Sequence, residues 1–406
     1  MLAKIGNTYD RLIIFTLAIM SAGILFSPVT LPRILSIIFI PIVIKNFPLI
    51  RKRLPIYVTL FLFSWLLFAT LSIVYSYSKT DAFKFVIYNS CSVSIFLSLF
   101  LFSLRASNPC QSIVKGFIIM VVLTSIIALW EFTTGNHLSC NYTEELYLGN
   151  NEMGITIERV YASVTFGNLN YYVVILCFAL PFLLFGIYLD KMNKKTCVIC
   201  IVIISLIIVI NASRGGLLCL MLSILTALYY YRHNRVITKS TILLITIITI
   251  ALLIYFADLI LVQIMSKLAT DGGTTGDDSR MNIYKNCINI LYLTNGMGSG
   301  MGGLEKALES VAPSDIPAPH NLLLEFLSQY GIFAFFTFMI FLTGLGLKIY
   351  KSDDWRAKML GTIFIVTFLP LSIINSVYLA STDVWIYFSS FLCIIQYNKY
   401  RFRHQV

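Results

Sequence analysis

Apolar runs of about 17–22 residues, the length an α-helix needs to cross the hydrocarbon core of a bilayer, recur along almost the whole chain of 406 residues. Apolar residues make up 58% of it and charged residues only 12%, against about 45–50% and 25% in soluble domains. One globular core cannot hide that much apolar surface. The short alternating segments of a membrane β-barrel are absent. The expected fold is therefore all-α: a single polytopic membrane domain over residues 1–406 with about twelve spans. These fall near 12–28, 30–44, 56–75, 85–104, 112–130, 169–189, 196–211, 215–231, 240–262, 320–347, 357–375 and 378–396. The run from His320 to Leu347 is long for one span, and Gly331 is the expected joint within it.

Charge sets the orientation. Lys4 and Arg11 precede the first run, and the even-numbered gaps carry clusters such as Arg51-Lys52-Arg53, Lys194-Lys195 and Lys348 with Lys351. Basic residues gather on the cytoplasmic side of inner-membrane proteins, so the +11 net charge reads as topology and not as nucleic-acid binding. Both termini are expected in the cytoplasm. The first run lacks a small-residue cleavage site, so no cleavable signal peptide is expected. Two large loops, 131–168 and 263–319, then face outward, and the second should carry short helices. The nine cysteines lie mostly within apolar runs, and Cys197-Val-Ile-Cys200 reads as packing despite its redox spacing.

Nine basic residues break the trend: Arg33, Lys79, Lys84, Arg159, Arg214, Lys267, Arg280, Lys285 and Lys306. Each asks for a local reason. Arg214 lies in the hinge Asn211-Ala212-Ser213-Arg214-Gly215-Gly216; a charge at membrane depth is costly, and it either binds an anion or snorkels to the interface. Arg280 follows Asp277 and Asp278 in the second loop, where it is either solvated or grips phosphate with its planar fork. His320 follows Pro317 and Pro319 at the start of a span, as a structural residue or a general acid or base. Glu325, five residues on, does not share its helical face. Gly298, Gly300 and Gly303 match G-x-G-x-x-G, but no βαβ unit surrounds them; the turn is flexible or offers amide groups to an anion. His137, His233 and His404 are far apart, so no metal site is expected.

The order of these segments resembles the bacterial O-antigen ligase and O-antigen polymerase superfamily. The likeness rests on Ser213-Arg214-Gly215-Gly216, Asp278-Ser279-Arg280, Gly296-x-Gly298-x-Gly300, and Pro319-His320-Asn321 with Leu324-Glu325 and Gly331 after it. Glu131-Phe132-Thr133-Thr134-Gly135-Asn136-His137-Leu138 and Phe166-Gly167-Asn168-Leu169-Asn170 add to it, although the family often has proline at the position of Leu169. The resemblance implies an enzyme of the inner membrane that moves glycan from undecaprenyl pyrophosphate to an acceptor sugar on the outer face. It implies that Arg214 and Arg280 grip pyrophosphate and that His320 is catalytic. Gly298, Gly300, Asn321 and Arg159 are the further expected substrate contacts.

No cofactor and no metal is implied. The expected partners are the lipid-linked donor, a glycan or lipid A-core acceptor, the bilayer and a chain-length regulator. The chemistry is consistent: the donor stores its energy in the sugar–pyrophosphate bond, cations can neutralise the leaving group, and direct attack would be inverting. Repeat-unit polymerase is the first expectation, ligase the second. A flippase would instead require charges within central spans and internal repeats; a non-catalytic scaffold gives no reason for the Arg214, Arg280 and His320 set. Reporter fusions after Thr275 and after Asn234 test the orientation. The first should read outside and the second cytoplasmic, and a cytoplasmic result at Thr275 would remove the outer-face site.

Overall fold

A computed structural model describes residues 2–25, 28–140, 148–150, 156–158, 160–189, 192–234, 275–311, 318–375 and 378–403. Among these, the helices are α1 Leu2–Ala18, α2 Leu31–Lys45, α3 Phe47–Arg53, α4 Ile56–Ser72, α5 Lys79–Arg105, α6 Pro109–Thr134 and α7 Leu169–Gly186. They continue with α8 Lys194–Ile210, α9 Arg214–His233, α10 Thr275–Leu293, α11 Leu304–Val311, α12 Leu322–Tyr350, α13 Trp355–Ser372 and α14 Thr382–Arg403. One antiparallel hairpin, β1 Leu148–Asn150 with β2 Thr156–Glu158, departs from the all-α expectation.

Helices overlap every expected span except 240–262, which lies outside the described residues. Five of them (α5, α6, α7, α9 and α12) are long and apolar enough to cross a membrane, or six if α2 and α3, bent by 83°, count as one broken span. The expected count of about twelve is not reached among the described residues. One reason is visible in the backbone. The apolar composition of the first run continues to about residue 28, but α1 stops at Ala18, passes through a short 3-10 turn and ends at Gly23, whose φ is 50°. Similarly, α4 is only 17 residues long.

Loops gather at two ends of the bundle. At one, Ser76 Oγ donates to the Met301 carbonyl at 2.8 Å, Ala162 N to Asn211 Oδ1 at 2.8 Å, and Arg33 Nη2 to the Ala380 carbonyl at 2.8 Å. At the other, Arg105 Nη1 donates to the Tyr9 hydroxyl at 2.7 Å, Ser112 Oγ to Asp10 at 2.7 Å, and Gln396 Nε2 to the Arg53 carbonyl at 3.1 Å. The helices run between these ends. The basic cluster Arg51, Lys52 and Arg53 thus shares one end with Arg105, and the described parts of the two large loops share the other.

Aromatic packing joins the middle of the bundle. Trp65 of α4 stacks on Trp385 of α14 with centroids 4.3 Å apart, and Phe326 of α12 stacks on Phe338 at 4.6 Å. Hydroxyls tie neighbouring helices where lipid gives no hydrophobic drive between them: Ser94 donates to the Ser36 carbonyl at 2.6 Å and Ser389 to the Phe96 carbonyl at 2.8 Å. Large apolar side chains such as Phe63, Phe83 and Phe333 point outward instead. All nine cysteines are free and buried, Cys197 and Cys200 among them.

The helix α12 is broken at Gly331, where φ is 81° and ψ is 178°, the joint expected from the length of the run. Such a break leaves backbone groups without helical partners. The glycine-rich turn after α10 supplies them. Ser299 N donates to the Ser328 carbonyl at 2.7 Å, Gly300 N to the Gln329 carbonyl at 3.1 Å, and Ile332 N to the Gly296 carbonyl at 2.9 Å. The fit is close: a Cβ on Gly331 would lie 2.6 Å from the carbonyl oxygens of Gly296 and Met297. This backbone region is open essentially to glycine alone. Gly331→Ala is therefore expected to cost about 3 kcal/mol or more, read as a lower unfolding temperature in detergent. An unchanged unfolding temperature would show that the turn and the break are not coupled as described.

Candidate functional site

The corner at the start of α12 carries the expected catalytic histidine. Pro319 is buried and cannot extend a helix backward. His320 follows with φ at 46°, a left-handed conformation that costs an L-residue roughly 1–2 kcal/mol. Asn321 returns to extended geometry and caps the helix: its Oδ1 accepts from Leu323 N at 3.0 Å and Leu324 N at 3.2 Å. A strained histidine is thus fixed between a proline and a cap. Its ring is half-buried, and Nδ1 is wholly so. Asn321, expected as a substrate contact, has its oxygen committed to the cap and only Nδ2 to offer.

Gly298 and Gly300 do not form an anion cradle. Gly298 N donates to Thr294 Oγ1 at 3.0 Å, and Gly300 N donates to the Gln329 carbonyl. A Cβ on Gly300 would lie 2.6 Å from the Ser76 Cα. These glycines exist so that the turn can press against α12 and the segment before α5. Flanking it, Ile283, Cys287 and Ile290 of α10 pack on Leu304, Ala307 and Leu308 of α11. Burial pushes the Cys287 thiol up to about 11, so it packs and does not react.

Arg214 is exposed as the first residue of α9. The residue two before it, Ala212, is also left-handed, with φ at 46°. The hinge is held from the segment between α6 and α7. Asn211 clamps Ala162 with both halves of its amide, accepting at 2.8 Å and donating at 3.1 Å, and Ser213 Oγ donates to Asn170 Oδ1 at 3.4 Å. Gly215 abuts Ile374, and the stretch from Ile374 leads to Leu379 and Ala380, which line a cavity with Pro319. The Arg214 hinge and the His320 corner are therefore at the same end of the bundle. Arg280 falls on α10 and its side chain lies outside the described residues, as does the whole of Arg159.

That cavity, of about 310 Å³, holds residues that sequence reasoning missed. Glu325 lines it and is 3% exposed, although its spacing from His320 had argued against any shared role. Gln329 and Arg33 line it too. Arg33 had a signal, since it is one of the nine basic residues that break the charge trend along the sequence. Glu325 and Gln329 lie one helical turn apart on a polar face of an otherwise apolar helix.

A second feature is Glu131, which the sequence offers as the start of a motif without a role. It is fully buried, and its Oε2 accepts from Ser163 N at 2.8 Å and Val164 N at 2.9 Å. Its Oε1 lies 3.4 Å from His137 Nδ1, and the His137 ring stacks on Tyr161 at 4.2 Å. Gly135, left-handed at φ 69°, ends α6 and turns the chain so that the two meet. Together they pin the loop that in turn clamps Asn211. Among the described residues, no group of three His, Cys, Asp or Glu comes close enough to hold a metal ion.

Residues 199–339 match the O-antigen ligase family. The match supports the O-antigen ligase and polymerase superfamily, whose members are glycosyltransferase-like, and it takes in Arg214, Arg280, the glycine-rich turn and the His320 corner. No curated protein matches the chain.

Glu131 gives a test of how the hinge is held. Glu131→Ala leaves two buried N–H groups without an acceptor, each worth about 1–3 kcal/mol, and should lower the unfolding temperature sharply and reduce transfer. Glu131→Gln retains a carbonyl acceptor and should lose much less of both. Equal behaviour of the two variants would show that the carboxylate does not anchor the loop.

Proposed function

We propose that this protein is an inner-membrane glycosyltransferase that polymerises lipid-linked glycan repeats at the outer face. The donor is a glycan on undecaprenyl pyrophosphate, and the acceptor is the terminal sugar of a second lipid-linked repeat. The observation that carries this reading is His320: a histidine held in a costly backbone conformation, directly after Pro319 of the cavity wall, within the segment that matches the O-antigen ligase family. Strain of that kind persists where the surrounding structure fixes it, and it concentrates at active sites.

In the proposed step, the acceptor hydroxyl oxygen attacks the anomeric carbon of the donor sugar. A new glycosidic C–O bond forms, and the bond from that carbon to the pyrophosphate oxygen breaks. The hydroxyl proton passes to His320. The electron pair leaves on the carrier pyrophosphate, whose charge Arg214 and Arg280 neutralise. Attack from the face opposite the leaving group inverts the anomeric centre. This geometry requires His320 and both arginines to converge around one carbon. The resemblance of the glycine-rich and Pro-His-Asn segments is closest to the polymerase form, which is why it is proposed first. A deletion strain should then carry single-repeat surface glycan, whereas long chains retained on the carrier lipid would identify a ligase.

His320→Gly separates chemistry from structure. Glycine adopts the left-handed conformation without strain, so the variant should unfold within a few degrees of wild type while transfer is abolished. Transfer near the wild-type level would remove His320 from the mechanism. Arg214→Lys keeps the charge but loses the planar fork, and should lose at least about tenfold in activity at normal protein levels.

A further inference from the structure

A second broken helix lies at the end of the bundle opposite His320. α2 stops at Lys45, and α3 leaves it at 83°. Since α2 runs along the bundle, α3 lies across its end. Three contacts fix it there. Arg105 Nη2 donates to Asn46 Oδ1 at 2.5 Å before its first turn, Ile50 in its middle is fully buried, and Gln396 Nε2 donates to the Arg53 carbonyl at 3.1 Å at its end. Pro48 sets the first turn. α3 is thus a rigid element and not a loop.

What this element displays is positive charge. Lys45 in the last turn of α2 and Arg51, Lys52 and Arg53 in the last turn of α3 are all exposed. Among the described residues, Lys45, Arg51 and Lys52 make no ion pair. The sequence has no acid between Asp10 and Asp81. Both oxygens of Asp10 are already taken: Oδ2 accepts from Ser107 N at 3.1 Å, and Oδ1 accepts from Asn108 N at 3.0 Å and Ser112 Oγ at 2.7 Å. A helix C-terminus favours cations, but that attraction does not ask for three in a row. Orientation in the bilayer asks only that cations sit in the right loop; it is indifferent to whether their backbone is held rigid.

The cations do not stand alone. Ile44, Phe47 and Ile56 beside them in the chain are each more than half exposed. A ligand for this patch has to offer anionic oxygens and hydrocarbon at once. Free phosphate offers only the first. A phospholipid with an anionic headgroup offers both: the arginine fork matches phosphate oxygens, and segments with basic and apolar faces settle in the headgroup layer.

We propose that α3 and the end of α2 form a binding site for anionic phospholipid, with Lys45, Arg51 and Lys52 on the headgroup and Ile44, Phe47 and Ile56 against the acyl chains. The inference does not depend on the glycosyl-transfer reading.

Native mass spectrometry of the purified full chain in a neutral detergent tests it by counting retained lipids. The probes are dioleoyl-phosphatidylglycerol, dioleoyl-phosphatidylcholine and inorganic phosphate. Wild type should bind the anionic lipid at least about tenfold more tightly than the choline lipid, and excess inorganic phosphate should not displace it. A basic residue near an anionic surface is worth about fivefold in affinity. Arg51→Gln and Lys52→Gln should therefore each lose about that much for phosphatidylglycerol, and the two together with Lys45→Gln should abolish the preference. Lys194→Gln, Lys195→Gln and Lys351→Gln together, at three exposed lysines elsewhere, should keep it. Exposed substitutions cost little stability, so unfolding temperatures without lipid should agree within a few degrees, and the single variants carry the test if the triple one does not fold. Equal binding of the two lipids by wild type, or a preference unchanged in the α3 variants, would overturn the proposal. So would an equal loss in the control, which would mean general attraction to net charge. Displacement by inorganic phosphate would also overturn it and make the patch a phosphate site.

Discussion

The structure depends on one exchange of backbone hydrogen bonds. Within lipid, each unsatisfied N–H or carbonyl costs several kcal/mol, and irregular backbone is tolerated only where protein covers it. α12 breaks at Gly331, and the turn from Gly296 to Gly300 takes up the carbonyls of Ser328 and Gln329 while accepting from Ile332 N. The first part of α12, up to Gly331, is thereby free to lie apart from the rest of the helix. That part carries Asn321, Glu325 and Gln329, and it sets Glu325 and Gln329 in the cavity wall. The glycine-rich turn thus serves the site at one remove, by licensing the break that positions it.

Much of the helical layout was legible because apolar length is a strong signal. Gly331 was legible for the same reason: the run from His320 to Leu347 exceeds one span. Other features were not. Hydropathy does not register a turn, so the first run read as continuous past Ala18 although the backbone turns at Gly23. The role of Gly298 and Gly300 was misread because a glycine's sequence pattern does not tell whether its amide meets a ligand or another strand of backbone. Here both amides meet the protein itself.

The site shows the same division. Arg214 and His320 could be singled out as polar residues at the edges of apolar runs, whereas the left-handed backbone at Ala212 and at His320 itself could not be read there. The cavity could not be read, since Arg33, Tyr88, Glu305 and Gln329 come from four separate places in the chain. Nor could the role of Glu131, which the sequence shows only as the start of a motif. Only the return of Ser163 and Val164 onto the end of α6 makes it a buried anchor.

The order of these segments along the chain bears on how the protein is made. The turn at Gly296–Gly300 precedes Gly331 in the sequence, so during synthesis it leaves the ribosome first. When the second half of α12 enters the bilayer, the backbone that must cover its break has already been delivered to the same end of the bundle. A nascent span with an uncovered break would have to hold open carbonyls in hydrocarbon. The linear arrangement of the gene thus spares the insertion machinery an intermediate that the membrane itself would reject.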